Sequence, residues 1–326
     1  MHYYYTSYIK LYATNMSFVK FIEVEEDRSG QRIDNFLLAK VGNIPKTLVY
    51  RWLRKGEVRV NKGRIKPTYR VQAGDLVRIP PVNIETKAPI KHLTKENLVY
   101  LEDCILYEDS DFLVLNKPSG LAVHGGSGID SGLIERLRIL RPYAKKLELV
   151  HRLDRETSGC ILIAKKYSIL TYFHQQLIEH NINKVYHALV AGCWSVAITK
   201  IDKPLKKNIA SSGERFSIIS EDGKPSITTV DILKSYQDTT LLAASPKTGR
   251  THQLRVHLKS EGCPIIGDDK YGDRYINQQF QKKGIKRLLL HAYQLIFIHP
   301  KTNEKICITA PYDKIFSLIS TDEMFK

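Results

Sequence analysis

The chain has 326 residues, 43% hydrophobic and 26% charged, which suits a soluble globular protein of two domains able to bury a real core. Fifty Lys and Arg against 34 Asp and Glu give a formal charge of +16, so the surface repels itself unless it meets a polyanion, nucleic acid first of all. No apolar run approaches the roughly 18 residues of a membrane span. Cys104, Cys160, Cys193, Cys263 and Cys307 are too scattered for a disulfide framework or a metal site, and read as reduced, buried thiols of a cytoplasmic protein.

Residues 1–17 carry no periodic pattern and lack the apolar stretch of a signal peptide; a disordered extension is expected there, with Met16 as an alternative start. In RIDNFLLAKV (32–41), Ile33, Phe36, Leu37 and Val41 recur at helical spacing. IPKTLVYRWLRKG (44–56) predicts a second helix, opened by Pro45 and stopped by Gly56, that buries Leu48, Val49, Trp52 and Leu53. EVRVNKGRI (57–65) alternates Val58 and Val60 with charges and turns at Asn61, Lys62 and Gly63, as a hairpin does, and AGDLVRIP (73–80) adds a short strand. Two short helices followed by basic strands form a small α+β module. This stretch resembles an S4 domain, an RNA-binding module, and the resemblance implies a domain over residues 18–80. Its expected RNA contacts are Lys46, Arg51, Arg54, Lys55, Arg59, Lys62, Arg64 and Lys66.

Residues 81–100 are rich in Pro and polar residues and predict a linker. Beyond them, DFLVLNK, CILIAKK, VYHALVAG, TVDILKSY, TTLLAASP, LLLHAYQLIFIHP and EKICITAP read as strands. Two helices interrupt them: SILTYFHQQLIEH, with Ile169, Leu170, Phe173, Leu177 and Ile178 on one side, and RTHQLRVHLKSEG, ending at Gly262. Consecutive strands with few helices predict a mixed, mostly antiparallel α+β sheet domain over residues 101–326.

VHRLDRETSG (150–159) sets one carboxylate, Asp154, between Arg152 and Arg155 with His151 nearby. Cations favour the ionised carboxylate, and an ionised carboxylate serves as nucleophile or base. An isolated Arg-x-Asp is usually a surface ion pair in a turn. These ten residues, however, are similar to the signature of the RluA-type pseudouridine synthases, with Asp154 at the catalytic position and His151 marking the subfamily. NKPSGLAVHGG (116–126), KVYHALV (184–190), SPKTGRTHQLRVH (245–257) and GDDKYG (267–272) extend the resemblance, which runs from Arg32 to Pro311.

The resemblance implies a role for each matched residue. Pseudouridine formation breaks the C1′–N1 bond of a uridine, turns the uracil and rejoins it through C5, with no redox change and no phosphate transfer, so neither cofactor nor metal is expected. Asp154 would attack C1′, attack C6 or remove a C2′ proton; all three routes stay open. Arg255 would pair with Asp154, and Tyr186 would stack on uracil or assist loss of the C5 proton. The target must leave its stack; Arg152 either fills the vacated place or is a second ion-pair partner of Asp154. Arg250 and His252, near Arg255 in sequence, are weaker phosphate contacts. RKGEVRVNKGRIKP (54–67), SGERFSIISEDGKPS (212–226) and NKPSGLAVHGGS (116–127) place the chain nearest the S4-bearing members that act on 23S ribosomal RNA, or on a precursor of the large subunit, at more than one uridine. A second S4-bearing type with other target sites is the nearest competitor. A ribosome-binding factor without catalysis is disfavoured by the joint presence of Asp154, Tyr186 and Arg255. Hydrolysis is disfavoured because no motif pairs Asp154 with a second carboxylate. A monomer is the expected state.

Overall fold

The computed structural model describes residues 18–42, 44–82, 93–126, 130–144, 147–209 and 215–320. The expected extension, residues 1–17, and residues 83–92 of the expected linker lie outside the described residues. The chain divides into two compact units, Met1–His92 and Leu93–Lys326.

The first unit contains β1 (Lys20–Glu23), α1 (Ile33–Val41), α2 (Lys46–Lys55), β2 (Arg59–Val60) and β3 (Leu76–Ile79), with the strands in the order β1-β3-β2, all antiparallel. The helices lie where hydrophobic spacing sets them: Ile33, Phe36, Leu37 and Val41 of α1 and Val49, Trp52 and Leu53 of α2 are buried together with Val58, Val60, Val71, Val77 and Ile79. Gly56 ends α2 in the left-handed region, where a side chain would be strained, and its N–H returns to the Leu53 carbonyl at 3.2 Å. Asn61 and Lys62 both have positive φ, the two-residue turn that suits a hairpin. The returning strand, however, does not form beyond Gly63. The partner of β2 is β3, and Asn61 moors the turn there by donating to Asp75 at 2.8 Å and accepting from the Leu76 N–H at 2.9 Å.

The second unit begins with α3 (Tyr100–Asp103), β4 (Ile105–Glu108), β5 (Phe112–Lys117), α4 (Leu133–Leu140), β6 (Glu148–Leu149) and β7 (Ser158–Ala164). It continues with α5 (Tyr167–Ile178), β8 (Asn183–Ala191), β9 (Lys200–Asp202), β10 (Leu205–Ile209), β11 (Arg215–Ile219), β12 (Ile227–Ser235) and β13 (Thr239–Pro246). It closes with α6 (Gln253–Ser260), α7 (Arg274–Lys282), β14 (Leu290–Ile298), β15 (Lys305–Thr309) and α8 (Lys314–Ser320). The main sheet runs β4-β5-β7-β14-β8-β13-β12-β9, with β15 on β14 and β6 on β7; β10 and β11 form a separate hairpin. The pairings are antiparallel except β7 with β14, which run parallel through His291–Ser158 and Ala292–Gly159.

The apolar runs in β5 and β7 are continuous because both faces are covered. Leu113, Leu115, Ile161 and Ile163 pack with Leu133, Ile134 and Leu137 of α4, while Phe112, Val114, Leu162 and Ala164 pack with Ile169 and Phe173 of α5. Several expectations need correction. Residues 93–100, assigned to the linker, fold into this unit, where Leu98 is buried. Ile178, placed on the buried side of α5, is exposed, and Cys193 and Cys307 are exposed rather than buried. The helix carrying Arg255 starts at Gln253, so Thr251 and His252 precede it.

Gly159 lets β7 approach β14: it has φ +107°, and a Cβ there would lie 2.3 Å from the Ala292 carbonyl oxygen. Gly159→Ala is expected to destabilise the protein by about 2–4 kcal/mol, read as a lowered urea midpoint.

Candidate active site

The segment between β6 and β7 carries Asp154, and the end of β5 holds that segment in place. Lys117 is fully buried, and its ammonium donates to the carbonyls of Pro118 (2.9 Å), Leu121 (2.8 Å) and Arg155 (2.9 Å). Gly120, in the left-handed region, donates its N–H to the same Arg155 carbonyl at 2.9 Å, and the Ser119 hydroxyl donates to the Glu156 carbonyl at 2.7 Å. The stretch 117–120 therefore clasps the backbone immediately after Asp154. Burial pulls the Lys117 ammonium down to about 7, against the raising influence of the Glu156 and Asp154 charges. On the other side, His151 Nε2 accepts the Leu162 N–H at 3.1 Å and so ties the loop to β7. Burial, with Lys184 nearby, lowers that imidazole to about 3, so it is neutral and acts as an acceptor.

The groups that reach the Asp154 carboxylate are not its sequence neighbours. Arg155 pairs with Glu156 at 2.7 Å, and Arg152 is exposed and forms no ion pair with Asp154. Instead, Arg255 on α6 and His252 just before it reach the same carboxylate oxygen: Nη1 lies 3.4 Å and Nε2 3.8 Å from Oδ2. The expected pairing of Arg255 with Asp154 is present, but it is the weaker of two. The guanidinium forks onto Asp268 through Nε at 2.8 Å and Nη2 at 2.7 Å. The Asp268 side chain is wholly buried and also accepts the N–H groups of Lys270 (3.0 Å) and Tyr271 (2.9 Å). Burial opposes the charge on Arg255, yet the Asp268 hydrogen bonds and charge, with Asp154 behind them, outweigh it and raise its pKa. The Tyr271 ring completes the fork's surroundings, with the guanidinium carbon 5.1 Å from its centroid.

Asp154 lies on the wall shared by two cavities, of about 320 Å³ and about 850 Å³. The smaller is also lined by Tyr186, Arg152, Thr248, Arg250, His252 and Arg255, so the four residues singled out for catalysis meet there. Tyr186 projects from β8; burial, reinforced by the Asp154 charge, raises its phenol well above the usual tyrosine value and keeps it protonated. The larger cavity is rich in cations: Arg152, Arg155, Lys270, Lys286 and Arg287 line it. In the first unit, Lys46, Arg51, Arg54, Lys55, Arg59, Lys62, Arg64 and Lys66 are all exposed. Among the described residues, Lys55 alone of these eight has a carboxylate within 4.0 Å, that of Glu57, while Arg59 leans back on the carbonyls of Gly56 and Lys62.

Comparison with known proteins identifies the families of both units. Residues 111–260 match the RNA pseudouridylate synthase family, and residues 31–77 match the S4 domain. The chain is 56% identical over 296 residues to the ribosomal large subunit pseudouridine synthase C of Pasteurella multocida, covering 90% of this chain and 91% of that one. It is 53% identical over 301 residues to the protein of that name from Escherichia coli K12, covering 91% and 94%. The chain belongs to the RNA pseudouridylate synthase family. Among solved structures, the human RNA pseudouridylate synthase domain containing 4 superposes with a TM-score of 0.57 at 26% identity, over 68% of this chain and 94% of that one. The α+β synthase unit and the N-terminal S4 unit are thus established together.

Two residues of the synthase unit that organise the site had no role at the level of sequence. Asp268 stands in GDDKYG, where Gly267 at φ +76° passes so close to the Arg287 carbonyl that no side chain fits; a buried carboxylate beside such a turn was the available signal. Lys117 stands at the end of an apolar strand, where a fully buried lysine must find partners.

The Lys117 ammonium yields a pH prediction. Its folded pKa lies below the unfolded value, so between about pH 7 and 10 the unfolded chain binds more protons and stability rises with pH. Lys117→Met removes this contribution. The stability gap between wild type and variant should widen from pH 7 to pH 10 in denaturant melts; a constant gap would contradict the assignment.

Proposed function

We propose that the chain isomerises uridines of large-subunit (23S) ribosomal RNA, free or in a subunit precursor, to pseudouridine, with Asp154 as the working carboxylate. The observation that carries this reading is the Asp154 carboxylate on a cavity wall, approached on one oxygen by a guanidinium that is itself anchored elsewhere. Such a carboxylate is aimed and still reachable, which suits attack at C1′ or C6 or removal of a C2′ proton. Isomerisation is redox-neutral: the C1′–N1 bond breaks, a C1′–C5 bond forms, C5 loses a proton and N1 regains one. Acid–base and carboxylate chemistry cover each of these changes.

Tyr186 is assigned to uracil, offering a ring face for stacking and a protonated phenol that can donate a hydrogen bond but not accept the C5 proton. Arg152 is assigned to the place left by the extruded base; its exposure and lack of an ion pair with Asp154 favour that role over the salt-bridge alternative. The ribosomal target is supported by the names of relatives that align along nine-tenths of the chain, by the +16 charge and by the exposed cations of the S4 unit. The S4 unit is assigned to phosphate contact without base readout.

Asp154→Asn should fold and bind ribosomal RNA as wild type does while forming no pseudouridine, measured by mapping the modification in RNA treated with each protein. Loss of the gene should remove a discrete set of pseudouridines from the large-subunit RNA of the strain; an unchanged map would overturn the substrate assignment. Replacing Arg51 and Arg54 with Gln should weaken RNA binding for all sequences alike and reduce the slope of log K against log salt by about 1 for each phosphate no longer neutralised.

A further inference from the structure

His252 occupies a backbone conformation that L side chains rarely adopt, φ 54° and ψ 25°, directly before α6. Strain of this kind persists only where the surroundings enforce it, and it gathers at functional positions. Here Gln253 pins the preceding turn by accepting the Arg250 N–H at 3.1 Å and the Thr248 hydroxyl at 2.7 Å. The Ser217 hydroxyl donates to the Thr251 carbonyl at 2.8 Å, and the Tyr271 hydroxyl lies 2.8 Å from His252 Nδ1.

The contact between Tyr271 and Nδ1 decides the tautomer. The Tyr271 hydroxyl already accepts the Ser217 N–H at 2.8 Å. A phenol has one proton to give, and giving it to Nδ1 satisfies both groups. The ring is then protonated on Nε2, the nitrogen that faces Asp154 Oδ2 at 3.8 Å. Burial lowers the imidazole pKa against the pull of Asp154, so the ring is a neutral donor rather than a competing cation. Arg255 Nη1 approaches the same oxygen at 3.4 Å. Catalytic hydrogen bonds are often this long before substrate binds and tighten in the complex.

We propose that His252 is a positioning residue for Asp154: its Nε2–H, set by the Tyr271 hydroxyl, joins Arg255 in holding Oδ2 and leaves Oδ1 as the oxygen presented to the nucleotide. The inference rests on Asp154 being the working carboxylate.

The test compares His252→Asn, His252→Gln and Tyr271→Phe in the full chain, by single-turnover modification of a large-subunit RNA fragment and by its equilibrium binding. Asn tolerates the left-handed backbone but is too short to place a donor at the Nε2 position; Gln restores one. His252→Asn should slow the single-turnover rate about 10- to 100-fold, the effect of losing one hydrogen bond to a charged group. RNA affinity should stay within about twofold of wild type. His252→Gln should recover most of the rate, and Tyr271→Phe should slow it in the same direction while leaving His252 in place, so misfolding of one variant does not remove the test. Wild-type rates in His252→Asn and Tyr271→Phe overturn the inference, as does a loss confined to RNA affinity. Activity in Asp154→Asn, measured in parallel, would instead overturn the reading beneath it.

Discussion

The fork of Arg255 on Asp268 is the constraint around which the site is built. A buried guanidinium needs a buried partner, and Asp268 meets it with two hydrogen bonds while two backbone N–H groups donate to its Oδ1. Thus fastened, Arg255 cannot swing to chelate Asp154; it offers only one Nη1 edge, at 3.4 Å. The Asp154 carboxylate is held through one oxygen only. A bidentate pair would have occupied both its oxygens.

Charge around the site divides into fixed and available parts. Lys117 and Arg255 are buried and committed, one to three carbonyls and the other to a carboxylate. Arg152 lines both cavities, exposed and uncommitted to Asp154, where an RNA backbone or an unstacked base would come. Burial keeps His151 neutral and disfavours protonation of His252, so neither adds a cation beside Asp154 at neutral pH. The first unit follows the same division, with its apolar helix faces buried and Lys46, Arg51, Arg54, Lys55, Arg59, Lys62, Arg64 and Lys66 left to solvent.

Much of this was legible in one dimension because the physics involved is local. Hydrophobic spacing gave α1 and α2, unbroken apolar runs gave β5 and β7, and Gly56 marked a helix end. Helices α3, α4, α7 and α8 and strands β1, β4, β6 and β9 to β11 escaped notice. LIERLRIL is too brief to show a period, and its N-terminal signal, Glu135 accepting the Gly132 N–H, rests on a glycine that also packs against His124. The hairpin expected after Asn61 and Lys62 failed for a related reason. The turn chemistry was right, but the better partner for Val60 lay at Val77, too far along the chain for turn chemistry to reveal.

At the site, the residue types were readable in sequence and their partnerships were not. The motif residues Asp154, Tyr186, Arg152 and Arg255 could be named because the segments that hold them resemble the family's motifs. Which cation serves Asp154 is a matter of direction in space. The neighbouring Arg152 and Arg155 make no ion pair with Asp154, whereas Arg255, 101 residues on, is brought to it by a helix packed on the sheet. Asp268, Lys117 and the tautomer of His252 were likewise settled only once the chain had closed. Burial makes an unpaired polar group costly, and only the folded structure determines which groups are buried together.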